Sequence, residues 1–511
     1  MPSHVELDLL LGKSRPAGEY RPRETDDNQR LRVLVLGDFS GRAPDAPSPW
    51  HAAALQRIDI DNFDTVLARL VPALSITLPG QDAPAAHLSL RSFDDFEPDA
   101  LVAHLPLFAR LRDLRRRLGD PASFQQAAAE LRASEAPGAS AVAAPAPAAS
   151  AEDDRATLER LLGRAPQAAP VAAPPAGDIA ARLDRLLREV VAPHVVPDTA
   201  HLQQPLIESV DRAIGATLRS LLRHPQWRGV EMAWRGVDSL LRRIDGDLVR
   251  IELLDVRADE LLQDMAAAGG DMAASSLARL LAQRAEGQGE PARCDVVAAL
   301  YEFGPSAPEL ALLAGLGALA AQVQAVLLAA AAPALAGVAS SAAPGDPSTW
   351  QAQPAARQAW EGLRRSWVAR HIGLLFPRVL ARLPYGPQAQ PVAGFAFDEL
   401  ADGFEHERLA WRPAVLDAVA LLAQGHAQDG FALQPDEHLL VEDLPAFVDR
   451  SRGEARLQAG AECYLSERQV AALVAQGLMP LVSDRGLPQA RLAGWRSVAA
   501  DGAPLAGAWQ V

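Results

Sequence analysis

The chain has 511 residues and a formal net charge of −15, long enough for two or three domains with their own cores. That acidity argues against non-specific binding to nucleic acid or to an anionic membrane. Its two cysteines, Cys294 and Cys463, lie far apart without metal-ligand spacing, which excludes a disulfide framework and points to a reducing cytoplasm.

The first twenty residues carry acids and lack an apolar h-region, so no secretory signal is expected there. Leu31 to Leu36, apolar except for Arg32, predicts a buried strand running into the turn "GDFSG". Asp61 or Asn62 can then cap a helix with Phe63, Val66, Leu67 and Leu70 on one stripe. "ALSITL" and "HLSLRSF" read as two short strands. Asp94 or Asp95 with Pro98 opens a further helix carrying Leu101, Leu105, Phe108, Leu111 and Leu114. Its basic end, Arg112, Arg115, Arg116 and Arg117, reads as a solvated face.

Residues 1–135 thus form one α/β part. Residues 136–177 hold two Ala/Pro tracts that cannot build a core and predict a disordered linker. A short helix near 155–164 interrupts them, with Leu158, Leu161 and Leu162 on one face. So short a helix is marginal without a partner, which makes those leucines docking candidates.

Residues 178–511 form a second part. It opens on a helix whose Leu183, Leu186 and Leu187 make a stripe suited to core packing or to a partner. In "QWRGVEMAWRGVDSLLRRI", Trp227 and Trp234 lie one heptad apart, so in a helix both indoles face one side. "LVRIELLDV" and "RCDVVAALYEFGPS" read as strands, the latter turning into a helix near Ser306. The uncharged run from Leu310 to Gly345 is long enough for a bilayer. Gln322, Gln324 and Pro333 interrupt it and no basic residue flanks it, so a buried helix followed by a buried strand is the better reading. The fold class is therefore α/β, two parts with mixed sheets flanked by helices.

No enzymatic motif emerges. The chain has no Walker A sequence, no H-E-x-x-H and no G-x-S-x-G. "GLGALA" at Gly315 and Gly317 lacks a third glycine and lies inside a helical run. An enzyme site around Asp38, Ser40 and Asp94 is a distant alternative. No cofactor and no metal are expected.

The segments "LRVLVLGDFSGR", "IDIDNFDTVLARLVPALSITL" and "LRSFDDFEPDALVAHLPLFARLRDLRRRL" resemble the small sheath subunit (TssB, or VipA) of the bacterial type VI secretion system. "LLRHPQWRGVEMAWRGVDSLL", "RIELLDVRADELLQDM", "ARHIGLLFPRVLARLPYG" and "LSERQVAALVAQGLMPLV" follow in the order of the large sheath subunit (TssC, or VipB). The resemblance implies a non-enzymatic structural protein in which one small and one large subunit make a protomer of a contractile tube. Here both are joined in one chain, which fixes their ratio and raises their effective concentration.

Relative to that family the large-subunit part reads as shortened at its C-terminus, where exchangeable strands are usual. The expected role is therefore a cap, seed or adaptor at a sheath end, with a true polymerising protomer as the alternative. The implied partners are sheath subunits or baseplate and tail components, with a ClpV-type ATPase as a further candidate. Nucleic acid and membrane insertion are not expected, and the location is the bacterial cytoplasm. Trp227, Trp234 and Arg235 are placed in or near the core between the two parts. Arg378, Arg382 and Tyr385 are read as a buried turn, with partner contact as the lesser reading.

Overall fold

The computed structural model describes residues 30–43, 50, 55–71, 74–77, 86–135, 200–287, 294–450 and 455–509. The expected linker, the helix expected near 155–164 and the stripes expected at Leu158, Leu161, Leu162 and at Leu183, Leu186, Leu187 lie outside them.

The N-terminal segment supplies β1 (Leu31–Gly37), β2 (Gln56–Ile58), α1 (Phe63–Leu70), β3 (Leu74–Ile76), β4 (Ala86–Leu88) and α2 (Pro98–His104). Asn62 stands at the N-cap of α1 without a side-chain bond to the helix. Its side chain and that of Asp59 instead bond each other's backbone N–H, at 3.1 and 3.0 Å. Asp94 and Asp95 do not cap a helix that runs on to Leu114. They sit in a 3-10 turn, Phe93–Phe96, where the Asp95 carboxylate accepts from the Arg91 and Ser92 amides. The single helix expected over Leu101 to Leu114 is broken after His104, because Pro106 has no N–H to give and disfavours the α conformation at Leu105.

A separate unit, residues 110–212, follows. Its described part holds most of α3 (Ala109–Gly119), α4 (Phe124–Glu135) and the first half of α5 (Ala200–Leu222). The basic stretch of α3 is largely paired within that unit. Arg117 meets Glu130 at 2.8 Å and Arg115 meets Asp211 at 2.6 Å.

The C-terminal segment continues with α6 (Pro225–Leu241), β5 (Val249–Asp255), α7 (Ala258–Ala267), α8 (Ser276–Gly287), β6 (Val296–Phe303), α9 (Ala307–Gln322), β7 (Val326–Ala331), α10 (Pro354–Arg365) and β8 (Ile372–Phe376). Beyond these lie β9 (Val379–Leu380), β10 (Trp411–Arg412), α11 (Val415–Asp429), β11 (Leu440–Val441), β12 (Val448–Asp449), β13 (Arg456–Leu457), α12 (Glu467–Ala475), β14 (Met479–Ser483) and β15 (Ala490–Leu492).

Nine of these strands form one sheet, in the order β11-β15-β14-β8-β7-β6-β1-β5-β2. The central run from β14 to β5 is parallel, and the outer strands close it antiparallel. Strand β1 of the N-terminal segment is inserted between two strands of the C-terminal segment. It pairs with β5 from Leu31↔Val249 to Gly37↔Asp255 and with β6 from Val33↔Val296 to Leu36↔Ala299. Both faces of a parallel sheet must be covered, which is why β1 and β7 read as near-continuous apolar runs. On one face Leu34, Leu36, Leu254 and Leu327 pack beneath α7 and α9, and α11 lies over β1, β6 and β7 on the other.

The apolar run that raised the membrane question is α9 followed by β7, nearly all buried. Ser306 and Glu309 cap its start reciprocally. Among the described residues no helix is long and apolar enough to cross a membrane. The glycines of "GLGALA" are packing residues. A Cβ on Gly317 would stand 2.5 Å from Ile372 Cδ1, and one on Gly315 2.7 Å from Met265 Sδ. Gly317→Val is therefore expected to overpack the α9–β8 contact and cost about 1–3 kcal/mol, read as a lower urea midpoint. An unchanged midpoint would contradict so close an approach.

Candidate functional site

The turn after β1 comes first, because it is where the N-terminal strand ends. Its amides are already occupied by an acid. The Asp255 carboxylate, at the end of β5, accepts from Phe39 N at 2.9 Å and Ser40 N at 3.1 Å. Arg42 neutralises that carboxylate at 2.5 Å and reaches Glu260 at 3.2 Å. A phosphate bound to the same amides would have to displace a buried carboxylate, so the turn is no anion cradle. Gly41 has φ +61, and a Cβ there would stand 2.5 Å from Val230 and 2.7 Å from Leu74 side chains. Only glycine fits both that conformation and that gap. The Trp234 indole donates to Phe39 O at 2.9 Å, and the Gln226 amide donates to Gly41 O.

Helix α6 presents Trp227, Glu231, Trp234 and Arg235 at helical spacing, and all four are buried. Pro225 at the first helical position sets its start. Trp234 stands edge-on to Phe39 at 5.5 Å and to Phe63 at 5.4 Å, and Trp227 lies 5.4 Å from Phe96. Each of these aromatic pairs joins a C-terminal residue to an N-terminal one, with the offset geometry such rings prefer.

Beneath the aromatics lies a buried ionic knot. Glu231, with no exposed surface, accepts from Arg235 at 2.8 Å, Arg382 at 2.7 Å and the Trp227 indole at 3.2 Å. Arg382 forks onto Glu399 at 2.7 and 3.2 Å, and lies 4.1 Å over the Tyr385 ring. Arg235 reaches the Tyr385 hydroxyl at 2.7 Å and crosses to Glu97 of the N-terminal segment at 3.2 Å. Burial alone would raise the Glu231 pKa, but Arg382 and Arg235 outweigh it and take it down to about 2. Nearby, Asp99 of α2 accepts from Ala393 N and Gly394 N at 3.0 and 2.9 Å.

Arg378 belongs to another cluster. It meets Glu462 at 2.5 Å and Glu407 at 3.1 Å, and His406 Nε2 lies 3.2 Å from Glu462. Burial pushes the Glu462 carboxyl up, but bonds from His406 and Arg378 bring it down to about 2. His406, Glu407 and Glu462 are close enough to share a cation. The positive charge beside the two carboxylates is the Arg378 guanidinium.

The structure therefore gathers Trp227, Trp234, Arg235, Arg382 and Tyr385 at one seam and leaves Arg378 apart. Asp38 and Ser40 lie on the turn, whereas Asp94 sits in the 3-10 turn before α2. Sequence reading missed Glu231, Glu399, Asp255 and Glu97, the anions that make the arginines tolerable. A signal existed for Glu231, four residues after Trp227 and four before Arg235. None marks Asp255 or Glu399, whose partners are remote in sequence. The arginines and carboxylates of the knot engage one another within the same chain, and their chemistry is adhesion.

Comparison with known proteins agrees with this geometry. The EvpB/VipB tail sheath N-terminal domain model matches residues 204–499, and the type VI secretion system VipA model matches residues 19–134. The type VI secretion system sheath protein TssC1 of Pseudomonas aeruginosa is 27% identical over 334 residues, covering 60% of this chain and 65% of that relative.

Proposed function

Because the chain belongs to the VipB tail sheath family, we propose that it is a non-enzymatic structural component of a type VI contractile apparatus, acting as a cap, seed or adaptor at a sheath end. The observation that carries this reading is the place of β1. A strand from the VipA-like segment lies inside the sheet of the VipB-like segment, hydrogen-bonded on both sides. One chain thus holds the body of a protomer at a fixed one-to-one ratio, with the small-subunit position already filled.

The end-of-sheath role is supported by the sheet's edges. Its outer strands, β11 and β2, have two and three residues. Short edges offer little for another chain to extend. We place the small-subunit part at 1–135, the linker at 136–177 and the large-subunit part from 178. Its expected partners are sheath subunits and baseplate or tail components, with a ClpV-type ATPase as a candidate disassembler, all in the bacterial cytoplasm. A polymerising protomer is the second reading, favoured by the match over residues 204–499.

Electron microscopy of the purified protein, alone and mixed with the separate sheath subunits of the same bacterium, separates the two. Single particles alone, with added density at sheath tips in the mixture, are expected. Long tubes from the protein alone would make it a polymerising protomer. Single particles in both samples would refute both readings.

A further inference from the structure

The end of β1 holds one acid that the seam does not neutralise. Three carboxylates converge there: Asp38 after β1, Asp255 at the end of β5 and Glu260 in the first turn of α7. Asp255 is paired with Arg42, and Glu260 with Arg42 and Arg257. Asp38 has no ion pair among the described residues, and its carboxylate accepts only the Gly41 amide, at 2.7 Å. The groups facing it are Arg42 on its own turn, Asp255 on β5, Arg257 just before α7 and Tyr301 on β6. Tyr301 is committed elsewhere, donating to Val256 O at 2.6 Å.

We propose that the turn Asp38–Arg42 is a proton-operated latch on the seam between the two segments, held more tightly when Asp38 is protonated. A neutral Asp38 can still accept from Gly41 N through its carbonyl oxygen while no longer repelling Asp255. The latch closes on backbone that α6 clamps, since Trp234 and Gln226 donate to the carbonyls of Phe39 and Gly41. Closing it therefore tightens the grip of the C-terminal segment on the end of β1.

The direction follows from linkage. Burial, against the bond from Gly41 and with Asp255 adding to it, raises the Asp38 carboxyl from 3.8 to about 6. The closed turn then binds a proton that the open turn releases. Closure strengthens as pH falls through about 6 and is weakest above it. Between about pH 7.5 and pH 5 the ratio of closed to open should rise on the order of tenfold.

Hydrogen exchange by mass spectrometry, on the full chain and on peptides covering 37–43, tests this once intrinsic exchange rates are removed. Wild type should show about tenfold more protection near pH 5 than near pH 7.5, with the rise setting in near pH 6, and Asp38→Asn should show no pH dependence in that window. Protection that is flat or falls toward pH 5 in wild type, or a rise that persists in Asp38→Asn, would overturn the latch. Should the variant not fold, the wild-type profile decides alone, because protection that does not begin to rise between about pH 7 and 5 excludes it. The outcome is independent of whether the protein sits on a sheath.

Discussion

Replacing Glu231 with leucine is expected to cost about 3–5 kcal/mol of unfolding free energy, among the largest single-residue losses in this chain. The side chain is fully buried and is the shared anion for Arg235 and Arg382, themselves 8% and 5% exposed. Removing it leaves Arg382 with Glu399 and Arg235 with half-exposed Glu97, so two guanidiniums stay buried at half their compensation. The cost is the desolvation of charge left behind, larger than any net gain the intact knot provides. A companion variant tests that logic, since changing Arg235 and Arg382 to methionine alongside Glu231→Leu removes the stranded charges and should recover part of the loss. Urea denaturation followed by circular dichroism at pH 7 gives both values, and a loss under about 1 kcal/mol for Glu231→Leu alone would contradict the knot.

The same residue predicts an acid limit. Its folded pKa of about 2 lies below the ordinary glutamate value of 4.5. Its contribution is therefore fully present above about 4.5 and drains away as pH falls from there through 2. Wild type should lose stability across that window more steeply than Glu231→Leu.

What the sequence revealed and what it withheld have a common physical cause. Periodicity is local, so the buried strand at Leu31–Leu36, the helix around Trp227 and Trp234 and the α9–β7 reading of the apolar run were all legible in the order of residues. Pro106 was equally legible as a helix breaker, yet apolar spacing on both sides of it suggested one continuous helix. Strand order is not local. Nothing in "RLRVLVLGDFSGR" states that its neighbours are Val249–Asp255 and Val296–Phe303, more than two hundred residues on. The anions escaped for the same reason. Asp255 looks like the polar end of a strand until the Phe39 and Ser40 amides are seen to point at it. Glu399, lying in an irregular loop, acquires meaning only from Arg382 and the Tyr385 amide.

The second large effect falls on Trp234. Truncation to alanine is expected to cost about 3–5 kcal/mol, from lost apolar area and the cavity left behind. It also deprives Phe39 O of its indole donor and removes the edge contacts to Phe39 and Phe63. Both partners, Phe39 and Phe63, belong to the segment matched by the VipA model, whereas Trp234 belongs to the one matched by the VipB model. The loss should therefore appear as weaker adhesion of one segment to the other, beyond a lower midpoint. A chain carrying an engineered protease site in the Ala/Pro tract separates the two readouts. After cleavage the wild-type pieces should co-elute in size-exclusion chromatography, because β1 remains hydrogen-bonded between β5 and β6. The Trp234→Ala pieces should come apart or precipitate. Trp234→Phe, which keeps a ring for Phe39 and Phe63 but not the donor, should fall between them. Co-elution of the cleaved alanine variant with an unchanged midpoint would mean that strand pairing alone holds the two segments, and that the aromatic seam is dispensable to the protomer.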